Sequence, residues 1–124
     1  MTEEEIKTLY SKIERLDIDE IKAIIDAESQ ILSGEIGFNF IGALLGNLFS
    51  AGSVYSNLEK ACKKTWDQNN NRIQSIIQNN PKSSKAIMDI VCLLAPTIAQ
   101  QYTGFSGMAI VGTLTIMCKH NLGL

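Results

Sequence analysis

The feature that most restricts this chain is the absence of charge over two long stretches. No Asp, Glu, Lys or Arg occurs from Ile36 to Leu58 or from Ile90 to Cys118, runs of 23 and 29 residues in a chain of 124. A helix that is apolar on every side must be covered, by protein or by lipid. A spanning helix needs about 20 predominantly apolar residues. The first run is diluted by Asn39, Asn47, Asn57 and several Gly and Ser, and the second is cut by Pro96 and by Gln100-Gln101. Protein core is therefore the expected cover. The second run reads as a buried helical hairpin, with Val91, Leu94 and Ile98 on one arm and Ile110, Val111 and Leu114 on the other.

The remaining sequence supplies the helices that would sheath it. Thr2 followed by Glu5 is a capping box, and Ile6, Leu9, Tyr10, Ile13 and Leu16 recur at helical spacing behind it. Asp17 or Asp19 restarts a helix carrying Ile21, Ile24, Ile25, Ile31 and Leu32, with Gly34 as its expected stop. Ser56 and Glu59 form a second capping box ahead of Leu58, Cys62, Trp66, Ile73, Ile76 and Ile77. Asn69-Asn70-Asn71 is a point where that helix breaks, and Asn79-Asn80-Pro81 ends it. Ser83 or Ser84 caps the next helix, which Pro96 should kink or interrupt. Ser106 caps the last, expected over roughly Gly107 to Cys118. Sustained period-two alternation is missing. The predicted fold is all-α: a single domain, 1–124, forming a compact bundle of five or six helices around the charge-free hairpin.

Charge is unevenly placed. Residues 1–35 hold ten acids against four bases, and the remainder seven bases against three acids. The acids are interleaved with Ile and Leu, so they read as the solvated face of helices rather than as a tail. Glu28 falls on an apolar stripe, where the edge of that stripe is its expected place. Lys60, Lys63 and Lys64 cluster near Trp66, a candidate patch for an anionic surface. With Trp66 on the Leu58–Cys62 side, those lysines belong on the outside. Nucleic acid is not the expected partner.

Catalytic groups do not assemble. The three cysteines, Cys62, Cys92 and Cys118, are widely spaced among apolar neighbours, and no CxxC pair occurs. Free thiols in a reducing compartment fit this pattern. The single histidine, His120, follows Lys119 with no nearby acid to orient it, and is expected to be solvated. GxSxG, GxxxxGK[ST], HExxH and GxGxxG motifs are absent. No cofactor or metal is implied. The acidic start, Met1-Thr2-Glu3-Glu4-Glu5, is unlike a cleaved signal peptide, so a cytoplasmic location is expected.

An interaction surface is expected instead. Gly42, Gly46 and Ser50 place small residues on one helical stripe, flanked by Leu45 and Phe49. Gly inside a helix costs about 1 kcal/mol relative to Ala, a cost that close packing of a second helix offsets. The expected function is a non-enzymatic protein-interaction or regulatory module, binding another protein or a second copy of itself through that face. The alternative is a membrane-active, membrane-associated protein whose hairpin enters a bilayer. A carrier of an apolar ligand is a third class.

Overall fold

A computed structural model describes residues 1–35, 54–80, 83–102 and 104–124, and the side chains of all these except 27–35, 54 and 57. Six helices lie in them: α1 (Glu3–Ile13), α2 (Ile18–Glu35), α3 (Val54–Gln68), α4 (Asn70–Asn79), α5 (Ser84–Gln101) and α6 (Gly107–Leu122). No strand occurs among the described residues. The fold is an all-α bundle, and the hairpin formed by α5 and α6 is its core.

The helix with the least charge takes the centre. Every residue of α6 from Met108 to Cys118 is buried, three consecutive turns covered on all sides. Helices α1, α2, α3 and α5 pack around it, adjacent to one another in the order α1, α5, α3, α2. α4 stays outside, on α3 and α5. Val91, Leu94, Ile98, Ile110, Val111 and Leu114 are all essentially inaccessible. Burying one such side chain contributes roughly 1.5–3 kcal/mol. No helix among the described residues is long and apolar enough to cross a membrane.

Close approach to α6 depends on Gly112. A Cβ there would lie 3.0 Å from Ile25 Cδ1, 3.1 Å from Ile25 Cγ1 and 3.3 Å from Ile21 Cγ2. The missing side chain lets two branched residues of α2 sit directly on the α6 backbone. Two hydroxyls are also buried in α6. Thr115 Oγ1 donates to the Val111 carbonyl at 2.7 Å, whereas Thr113 Oγ1 has no hydrogen-bond partner among the described residues.

Local signals set most helix starts. The side chains of Thr2, Asp17, Ser83 and Ser106 accept from the backbone N–H of Glu5, Glu20, Ala86 and Ala109. Several boundaries differ from expectation. α2 continues through Gly34 to Glu35, since glycine ends a helix firmly only in a left-handed conformation; Gly123 adopts one (φ 71°) just after α6. α5 runs unbroken through Pro96, held by Val91, Leu94, Ala95 and Ile98 on both sides of it. α3 already includes Val54, so Ser56 lies within the helix and not ahead of it. α6 extends past Cys118 to Leu122 and puts His120 in its last helical turn.

Candidate functional site

One face of α3 and the last turns of α6 enclose a cleft of about 300 Å³. α3 contributes Tyr55, Glu59, Lys63, Trp66 and Asp67, which fall on one side of a helix at its 3.6-residue period. α6 contributes Met117, His120 and Asn121 by the same logic. The floor is apolar: Tyr55, Trp66 and Met117 are buried. The rim is polar, with Lys63, Asp67, His120 and Asn121 exposed and Glu59 half-buried. Glu59, Lys63 and Asp67 alternate in sign one helical turn apart. Lys63 and Asp67 form no ion pair with any described residue.

Tyr55 ties this cleft to α2. Lys22 Nζ lies 4.9 Å from the centroid of its ring, within cation–π range. Its backbone N–H donates to the Asp26 carboxylate, so α2 supplies an acceptor for the first turn of α3. Burial pushes the Tyr55 phenol well above its ordinary pKa, and the Glu59 carboxylate hydrogen-bonded to it adds to the shift. Tyr55 is therefore a fixed hydrogen-bonding wall and holds its proton throughout the physiological range.

The same kind of environment withdraws the two buried thiols, Cys62 and Cys118, from chemistry, while half-buried Cys92 keeps access to solvent. Burial, assisted by the Glu59 charge, pushes the Cys62 pKa up to about 12. Burial alone raises that of Cys118, and burial is also the main cause of the upward shift at half-buried Cys92. A thiol held protonated is a poor nucleophile and a poor metal ligand. Among the described residues no group of three or more His, Cys, Asp or Glu is placed to hold a metal ion. What the cleft offers is a greasy floor edged by charges of both signs, a surface suited to gripping an amphipathic side chain.

A second contact region fastens α1. Ile6, Tyr10 and Ile13 point into the groove between α5 and α6 and are 3% exposed or less. Ser84 Oγ donates to Glu14 Oε1 at 2.8 Å, so the Tyr10 hydroxyl, 2.7 Å away, is the donor to Ser84 Oγ. Lys119 Nζ donates to the Leu16 carbonyl at 2.7 Å.

The residues singled out by sequence distribute unevenly over these regions. Lys60, Lys63 and Lys64 are exposed on α3 while Trp66 is buried beneath them, and Lys63 alone of the three lines the cleft. The cleft brings Lys63, Trp66 and His120 together and adds Glu59, read from sequence only as part of a capping box, and Tyr55, Asp67, Met117 and Asn121, which the sequence does not single out. The α3 members were findable from their helical spacing; their pairing with α6 was not. Gly42, Leu45, Gly46, Phe49 and Ser50 lie outside the described residues, as does the side chain of Glu28. No family model, curated protein or solved structure matches this chain, so a functional reading rests on the geometry of these two regions.

Proposed function

We propose that the chain is a non-enzymatic protein-interaction or regulatory module, acting in the cytoplasm by binding another protein or a second copy of itself. The observation that carries this reading is the α3/α6 cleft: an apolar floor beside charges of alternating sign on one helix, of which Lys63 and Asp67 form no ion pair with any described residue. Aromatic anchors within a polar rim are the usual anatomy of a recognition surface. The cysteines support the location, since three free thiols in buried or half-buried settings suit a reducing compartment.

The test reverses the rim. In the variant Lys63→Glu/Asp67→Lys, both changes fall at exposed positions and should leave the fold intact. Binding of a purified partner, or any self-association that uses the cleft, read by sedimentation, should weaken at least tenfold. A partner or oligomer indifferent to the reversal would remove the cleft from the interface. A second reading, docking on an anionic membrane, is favoured by the row of exposed Lys60, Lys63 and Lys64. Flotation of the unchanged chain with anionic vesicles at neutral pH, abolished when all three become Glu, would replace the first reading with this one.

A further inference from the structure

The seat of α1 has properties that an internal helix contact does not need. α1 packs on α5 and α6, while its covalent neighbour α2 packs on α6 and α3. Its anchors, Ile6, Tyr10 and Ile13, follow the i, i+4, i+7 spacing by which a free amphipathic helix is read in a groove. Both polar fastenings match charge to a helix pole. Glu14 reaches the first residue of α5, where unsatisfied N–H groups favour an anion. The Lys119 ammonium reaches Leu16, just past the last turn of α1, where unsatisfied carbonyls favour a cation. The groove thus recognises the register, direction and identity of the helix lying in it.

The turn joining α1 to α2 is held by these contacts and not by helix-breaking residues. Glu14-Arg15-Leu16-Asp17 contains neither Gly nor Pro, and Glu14 already has right-handed helical angles (φ −52°, ψ −40°). Glu, Arg and Leu are good helix formers. Only Asp17, whose carboxylate takes the Glu20 N–H at 2.8 Å, is placed to favour a stop. A continuous helix through α1 and α2 is therefore a conformation that the local sequence permits.

We infer that the α5/α6 groove is a docking site for α1 of a second copy of this chain, giving a dimer in which straightened α1–α2 helices exchange their first arms. The dimer reuses the apolar anchors of α1 and its Glu14–Ser84 contact, so its cost is confined to association entropy and to opening the turn, with the Asp17 cap and the Lys119–Leu16 contact that the turn carries. This inference deepens the interaction-module reading by naming its partner, and places that partner in a different region from the cleft.

The experiment uses the full chain and two turn variants, each incubated at millimolar concentration and resolved by size-exclusion chromatography with light scattering. Asp17→Ala removes the cap and favours the straight helix, and should raise the dimerisation constant about tenfold or more. Ile18→Pro sits at the first position of α2, where proline suits the monomer but breaks a continuous helix, and should suppress the dimer to the same degree. A third variant shows where α1 lies. Lys7 on α1 and Cys92 on α5 are near enough for the Lys7 charge to act on the thiol. A short bis-maleimide added to K7C should join two chains in the dimer fraction and act within one chain in the monomer. Absence of a dimer in both the unchanged chain and Asp17→Ala overturns the inference, as does a dimer undiminished by Ile18→Pro. A dimer whose K7C cross-link stays within one chain is assembled differently; it also overturns the exchange while leaving the cleft and the interaction-module reading standing.

Discussion

α6 and α1 are both short helices with fully buried isoleucines, and they occupy opposite ends of a scale of dependence. α6 is covered on every side by four other helices, and no residue of its middle three turns is more than 9% exposed. α1 offers one stripe to two helices and carries Glu3, Glu4, Glu5, Lys7 and Lys12 on its outer side. The difference is written in where charge is missing. Eleven consecutive buried residues leave α6 no orientation in which it could be peripheral, whereas α1 is held along one stripe by three buried anchors. Burial of a single residue is thus a poor guide to its energetic reach; the number of helices that close over it is a better one.

The sharpest test of that contrast pairs two deletions at equally buried sites. Leu114 and Ile6 are both fully inaccessible. Leu114→Ala leaves a cavity that four surrounding helices cannot close, and should cost about 2–5 kcal/mol in denaturant unfolding. Ile6→Ala removes similar volume, but its global cost is capped by the free energy of undocking α1 alone. We expect it to cost about half as much or less. Native-state hydrogen exchange separates the two directly. Ile6→Ala should lower protection in α1 and spare α6, while Leu114→Ala lowers both. If the two variants cost the same and both strip protection from α6, α1 is an integral part of the core and the contrast is lost.

How far the contrast was legible in sequence follows from range. The centrality of α6 could be read because an uncharged run is a local property, and the caps at Thr2, Ser83 and Ser106 because a cap reaches only three residues. Pro96 misled because the burial of Val91, Leu94, Ala95 and Ile98 on either side of it outweighs its local cost, and Gly34 because glycine ends a helix firmly only in a left-handed conformation. The Tyr10–Ser84 contact spans 74 positions, and a tyrosine within an apolar stripe reads simply as core. The cleft joins residues from α3 and α6 whose proximity only the tertiary packing creates. Sequence therefore locates the core well and the cleft and the α1 seat poorly: the core is specified by composition, the other two by which helices meet.

A smaller effect of opposite sign should come from Thr113. Its hydroxyl is fully buried within α6 and has no hydrogen-bond partner among the described residues, while Thr115 two positions on satisfies its own by bonding to Val111. A buried polar group without a partner costs about 1–3 kcal/mol relative to one left in water. Thr113→Val keeps the branched shape and removes the hydroxyl. It should stabilise the chain by about 1 kcal/mol, raising the midpoint of urea unfolding without changing its slope. The matched change Thr115→Val removes a made hydrogen bond and should gain nothing. Should Thr113→Val destabilise instead, the hydroxyl has a partner such as a bound water, and the packing around α6 is less complete than its burial implies.

The smallest effect concerns the joint between α2 and α3, where a charge sits half-buried beside the core. Asp26 accepts the Tyr55 N–H, and its pKa lies above the ordinary value of 3.8 because burial outweighs the opposing influence of that hydrogen bond and of Lys22. A carboxyl whose pKa is raised by folding binds its proton more tightly in the folded state. Its contribution to stability is then fully present below the unfolded pKa and is lost as pH climbs through the folded one. Asp26 should therefore work against stability from mildly acidic pH upward, opposite in sense to carboxylates held low by ion pairs. Asp26→Asn keeps an acceptor for Tyr55 and discards the charge, so relative to the unchanged chain it should fare better at pH 7 than at pH 3. Asp26→Ala also strips the acceptor from the first turn of α3, and at pH 7 should cost about 0.5–2 kcal/mol. Urea unfolding of all three chains at both pH values decides the matter. An Asn variant equally displaced at pH 3 and pH 7 would show that the carboxylate is well solvated, and that the α2–α3 joint belongs with the exposed side of α1 and not with the shielded interior around α6.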